Sequence, residues 1–76
     1  MNAAAHGAVG ILAGGGALPA RVAEAAAAAG RPVFILGFEG FAEPDVIASW
    51  PHETVRLGAA GQMLSLLRAH ECTDLV

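Results

Sequence analysis

The sequence predicts an α/β domain built on a parallel sheet, and three observations predict it. Ala8–Ala13 and Val33–Phe38 are short apolar runs that suit strands buried on both faces. Segments of helical character lie between strand-like segments, and this alternation implies parallel pairing with right-handed crossovers. Glycines close the first apolar run just before a helical segment opens, as in a tight βα turn. Together they give a Rossmann-like sheet with the element order β-α-β-β-α-β.

In the first strand, Val9, Ile11 and Leu12 carry most of the apolar bulk. Residues 18–29 read as a helix, because alanine has the best helix propensity and residues 25–29 are continuous alanine. Leu18, Val22, Ala25 and Ala29 mark one expected face, and Arg21, Glu24 and Ala28 another. Pro19 fits only the first turn, where its missing N–H costs nothing. Gly30 supplies the position just past the helix, and Pro32 prevents its continuation. Val33–Phe38 is the clearest strand. Residues 39–51 form a connection with one helical turn expected near 45–49, started by Pro44 and Asp45. A short third strand is expected at 54–57. Gly58 and Gly61 then turn the chain into a helix over about residues 60–70, where Met63, Leu66, Leu67 and His70 recur at i, i+3, i+4, i+7. Residues 73–76 begin another apolar run. Residues 1–7 are read as a flexible tail and residues 8–76 as one domain. Two alanine-rich helices cover little of a sheet that needs cover on both faces, so a fragment of a longer chain is expected, marginally stable alone.

Composition removes several function classes. Four Lys+Arg against seven Asp+Glu leave a net charge of −3. The basic residues Arg21, Arg31, Arg56 and Arg68 are dispersed, which argues against nucleic-acid binding. The three histidines, His6, His52 and His70, lack metal-ligand spacing. The single cysteine, Cys72, permits no internal disulfide and fits a reducing compartment. The chain is 55% hydrophobic and carries no charged side chain before Arg21. Even so, its start is not read as a signal peptide or membrane span. No basic residue precedes it, Gly14-Gly15-Gly16 interrupts it and Pro19 follows. No export is expected.

The constellation with chemical content is Gly14-Gly15-Gly16-Ala17-Leu18-Pro19, where the first strand hands over to the first helix. Glycines let the backbone approach a ligand closely, and a helix start offers unpaired N–H groups and the positive dipole end. The segment is neither G-x-G-x-x-G, since Pro19 takes the last glycine position, nor a P-loop, since no G-K-[ST] follows. A phosphate-contacting turn and a purely structural turn are both open here. Gly58 is a second candidate, after the third strand. Glu39 follows the second strand where a dinucleotide fold holds its ribose-binding acid, but a solvated loop carboxylate is the favoured reading. Glu43 and Asp45 read as loop and cap residues. His70 reads as a helix C-terminal residue and Cys72 as a small buried hydrophobe. Trp50 reads as a packing plug under its loop, and Phe34, Phe38 and Phe41 as core and loop anchors. No Ser-His-Asp, paired-carboxylate or metal pattern can be assembled.

The run Val9-Gly10-Ile11-Leu12-Ala13-Gly14-Gly15-Gly16-Ala17-Leu18-Pro19 resembles the N-terminal signature of the LpxI family of UDP-2,3-diacylglucosamine pyrophosphatases. The resemblance continues in order through Ala27-Ala28-Ala29-Gly30-Arg31-Pro32-Val33 and Gly40-Phe41-Ala42-Glu43-Pro44. Arg56-Leu57-Gly58 with Gly61, and Leu66-Leu67-Arg68, extend it. It implies the N-terminal domain of a two-domain protein that hydrolyses UDP-2,3-diacylglucosamine to UMP and lipid X in lipid A biosynthesis, with water attacking the α-phosphorus. It also implies a divalent cation, Mg2+, and catalytic acids in a C-terminal domain of the same protein. The location implied is cytoplasmic, with room for peripheral contact at the inner membrane. Relatives often carry lysine after Gly61, where this chain has Gln62.

The expectation is therefore a substrate-binding domain that uses Gly14, Gly15, Gly16, Ala17 and Leu18, with Gly58 as a further candidate and no catalytic or metal-binding residue. Two other readings stand beside it: a dinucleotide-binding half-domain of an oxidoreductase, which tight NAD(H) binding would favour, and a non-catalytic interaction domain.

Overall fold

The computed structural model describes residues 7–76. The tail expected at residues 1–7 therefore lies outside the described residues except for Gly7. The elements run β1 (Ala8–Ala13), α1 (Leu18–Ala28), β2 (Val33–Phe38), α2 (Pro44–Ile47), β3 (His52–Val55), α3 (Ala60–Ala69) and β4 (Cys72–Leu75). The strands form one sheet in the order β3-β2-β1-β4, and every pair is parallel.

Right-handed crossovers fix the layers. The chain steps from β1 to β2 to β3 in one direction, so α1 and α2 fall on the same face. From β3 it returns past β2 and β1 to β4, which places α3 on the opposite face. Side chains alternate accordingly. Val9, Ile11, Ala13, Val33 and Ile35 join Ala23 of α1 and Ile47 of α2 in one core. Phe34, Leu36 and Val55 pack on the other face with Met63, Leu66 and Leu67 of α3. His70 completes the α3 stripe by stacking on Phe34, with ring centroids 3.7 Å apart.

The face assigned to α1 needs correction. Pro19 and Ala23 are its buried residues, with Val22 and Ala26 packed beside them, whereas Leu18, Ala25 and Ala29 are exposed. An alanine-rich helix looks much the same on every side, so the pattern does not specify which stripe docks. The third strand also begins earlier than expected. The Ile35 N–H donates to the Pro51 carbonyl at 2.9 Å and opens the ladder there, and Val55 pairs with Phe38, the last residue of β2. Leu57 thus has no partner strand and is exposed. Trp50 packs against the first core as expected, but Phe41 is exposed.

Helix α1 closes as its sequence requires. Gly30 takes φ +83°, and the Arg31 N–H reaches back to the Ala26 carbonyl at 3.0 Å, the pattern of a Schellman cap. This cap delivers the Arg31 side chain to the edge strand. Its Nη2 donates to the Gly7 carbonyl (2.9 Å), to Thr73 Oγ1 (3.3 Å) and to Asp74 Oδ2 (2.7 Å). One guanidinium thereby ties the entry of β1 to β4. Arg31→Ala is expected to cost about 1–2 kcal/mol, the sum of a half-exposed ion pair and the bonds to Gly7 and Thr73. Chemical denaturation of the two proteins measures the difference, and equal midpoints would show that the clamp contributes nothing.

Candidate functional site

The strand order creates a switch point. β1 connects onward to one side of the sheet, while its other neighbour, β4, is reached by the return crossover. In open α/β sheets the crevice outside the carboxyl ends of two such strands is where ligands bind. The turn from β1 into α1 opens onto this crevice.

The turn's geometry follows from its glycines. Gly16 takes φ +85°, a conformation that a side chain would strain. Among the described residues, neither a steric clash nor a positive φ requires glycine at Gly14 or Gly15. A Cβ at Gly14 would meet nothing within 4 Å, and one at Gly15 only the Phe41 carbonyl at 3.5 Å, an ordinary contact. The surface in front of both is open, and backbone is what it presents.

Helix α1 begins here without a cap. Its N-cap is Ala17, no side chain bonds to its first turn, and that turn holds no acid. Arg21 makes the first helical hydrogen bond, to the Ala17 carbonyl at 3.3 Å. Among the described residues, the amides of Gly15, Gly16, Ala17, Leu18 and Ala20 donate to no backbone carbonyl. Pro19 contributes none. These unpaired donors, with the positive end of the helix dipole, favour an anion by about 0.3–1 kcal/mol from the dipole alone.

Gly14, Gly15 and Leu18 line one groove of about 230 Å³ with Ile11, Leu12, Pro19, Val22 and Val76. Gly16 and Ala17 complete the same turn. Gly58 does not join them: it follows β3, two strands from β1 and so roughly 10 Å away at the usual strand spacing. It takes φ +95° in an exposed turn before α3, another helix start without a side-chain cap or first-turn acid. Glu39 is exposed at the carboxyl end of β2. Cys72 packs among the second core, where burial pushes its thiol above the ordinary range. A raised thiol pKa leaves little thiolate at neutral pH and makes a poor nucleophile.

The sequence reading missed the groove's apolar wall, because Val22 and Val76 lie far apart in sequence and meet only once β4 pairs with β1. The Val76 N–H donates to the Gly10 carbonyl at 2.9 Å, and the Leu12 N–H to the Val76 carbonyl at 3.0 Å.

Residues 8–76 match the model of the LpxI N-terminal domain. The chain belongs to the LpxI family. Among relatives, the UDP-2,3-diacylglucosamine pyrophosphatase LpxI of Caulobacter vibrioides is 38% identical over 64 residues, which is 84% of this chain and 22% of that protein. The chain thus spans about a fifth of the length of this curated relative. The family match includes the whole glycine turn, α1, and Arg31 with its partners Thr73 and Asp74. Among the described residues, no three His, Cys, Asp or Glu side chains gather to hold a metal. No helix of the described residues is long and apolar enough to cross a membrane.

Proposed function

We propose that this chain is the substrate-binding N-terminal domain of a UDP-2,3-diacylglucosamine pyrophosphatase. The observation that carries the reading is the uncapped start of α1, placed with its glycine turn at the sheet's switch point. Backbone amides from Gly15 to Leu18 hold the substrate's pyrophosphate there, and Gly14 and Gly15 admit it without a side chain in the way. The reaction is hydrolysis. Water attacks the α-phosphorus, the bond to the bridging oxygen breaks, and UMP and 2,3-diacylglucosamine 1-phosphate leave. This domain contributes binding and charge stabilisation. Acid, base and divalent-cation chemistry fall to a C-terminal domain of the same protein. The setting is cytoplasmic, with peripheral contact to the membrane that holds the lipid.

The 76-residue chain assayed alone with substrate and magnesium is expected to show no turnover, while the full-length protein releases UMP and lipid X. Comparable rates for the two would overturn this division of labour. A dinucleotide reading draws on the β3-β2-β1-β4 order and on Glu39 at the end of β2. Against it stands Pro19, buried where the fingerprint glycine would let α1 approach the strand. Tight NAD(H) binding by the full-length protein would favour that alternative.

A further inference from the structure

We infer that the groove beside the glycine turn takes an acyl chain of the lipid substrate, with Leu18 as a determinant of acyl recognition; this rests on the substrate-binding reading above. Every side chain lining the groove is apolar: Ile11, Leu12, Leu18, Pro19, Val22 and Val76. Its volume of about 230 Å³ falls below the ~300–1,000 Å³ of pockets that enclose a whole ligand. It therefore accepts one segment of a larger molecule. A uracil ring is a poor occupant, since its polar edges would lose water and find no side-chain partner. A hydrocarbon chain has no such demand.

The lining combines two characters. Gly14 and Gly15 belong to the turn with the unpaired amides, and Leu18, Pro19 and Val22 contribute hydrocarbon. A ligand that is anionic at one point and acylated nearby matches this combination of surfaces. Leu18 is the telling residue. It stands at the first position of α1 and is 68% exposed although it is a leucine. Phe41 and Leu57, at the ends of β2 and β3, are exposed as well. Exposed apolar side chains thus recur beyond the carboxyl ends of β1, β2 and β3.

The test compares two ligands on the full-length protein: UDP-2,3-diacylglucosamine, and UDP-glucosamine, the same nucleotide sugar without its acyl chains. Leu18→Ser, which keeps the backbone amide, is expected to weaken binding of the diacylated ligand about 10-fold more than it weakens binding of UDP-glucosamine. Leu18→Met, which restores an apolar chain, is expected to regain the lost affinity. Equal losses with both ligands would place the nucleotide in the groove and overturn the inference. So would an unchanged affinity for the diacylated ligand, or a loss that Leu18→Met shares. A fall in melting temperature of Leu18→Ser without any change in affinity would mean that another part of the polypeptide fills the groove, which also overturns it. Failure of the phosphate reading is separable. It would appear as a Gly15→Val variant that binds both ligands normally, whatever Leu18→Ser does.

Discussion

Gly15→Val in the full-length protein is expected to lower substrate affinity by at least ~10-fold, about 1.4 kcal/mol, while its melting temperature barely moves. A Cβ at Gly15 meets only the Phe41 carbonyl, at 3.5 Å, and Gly15 is not among the residues held at positive φ. The backbone strain of this turn sits one residue later, at Gly16. A valine at position 15 is therefore accommodated by the fold, but its methyl groups occupy the space through which a phosphate would reach the amides of Ala17 and Leu18. Measuring the melt and the affinity on the same preparation separates the two roles. A collapse of folding, with normal binding by the folded fraction, would show that the glycine serves the turn alone.

The fold was legible because its strands are built without ambiguity. Val33–Phe38 is apolar at nearly every position, and the only way to bury both faces of such a run is to place it inside a covered sheet. Helix α3 was legible for the opposite reason. Of its large apolar residues only Leu64 falls off one stripe, so Met63, Leu66, Leu67 and His70 define the docking side, and it packs on Phe34 and Leu36. Helix α1 was harder to orient because alanine is tolerated on either face. The limits of β3 were hidden because they depend on where β2 stops, at Phe38, rather than on the propensities of Thr54 or Leu57.

Half of the candidate site could be read from the sequence. A glycine run between an apolar strand and a helix marks a turn with exposed amides, and the structure places that turn at the switch point. The groove beside it could not be read. Its wall joins Ile11, Val22 and Val76, and their meeting depends on β4 lying next to β1, which no local pattern encodes. Gly58 shows the converse. Its glycine signal resembled that of the first turn, yet the strand order sets it apart from the groove.

Gly10→Val is expected to have the opposite phenotype to Gly15→Val, although the substitution is the same. From the sequence, Gly10 is an unremarkable residue inside a strand, away from the turn. In the structure it is where α3 and β4 close on the sheet. A Cβ there would lie 2.9 Å from Leu67 Cδ2, 3.2 Å from Cys72 Sγ and 3.3 Å from Leu75 Cδ1. Valine adds two methyl groups beyond that Cβ, and three neighbours from two elements must give way together. Overpacking of this kind costs typically ~1–3 kcal/mol. For a domain of this size each kcal/mol shifts the melting temperature by roughly 4–8 °C. Loss of α3 docking would also uncover Phe34 and Leu36, so the upper half of the energy range is expected. Thermal melts of the 76-residue chain with and without the substitution check the effect. Substrate binding by the fraction of full-length Gly10→Val that remains folded is expected to be normal, because nothing at Gly10 faces the amides of the turn. An unchanged melt would mean that Leu67 can swing aside at no cost, and that the close approach of α3 to β1 contributes little to the stability of the sheet.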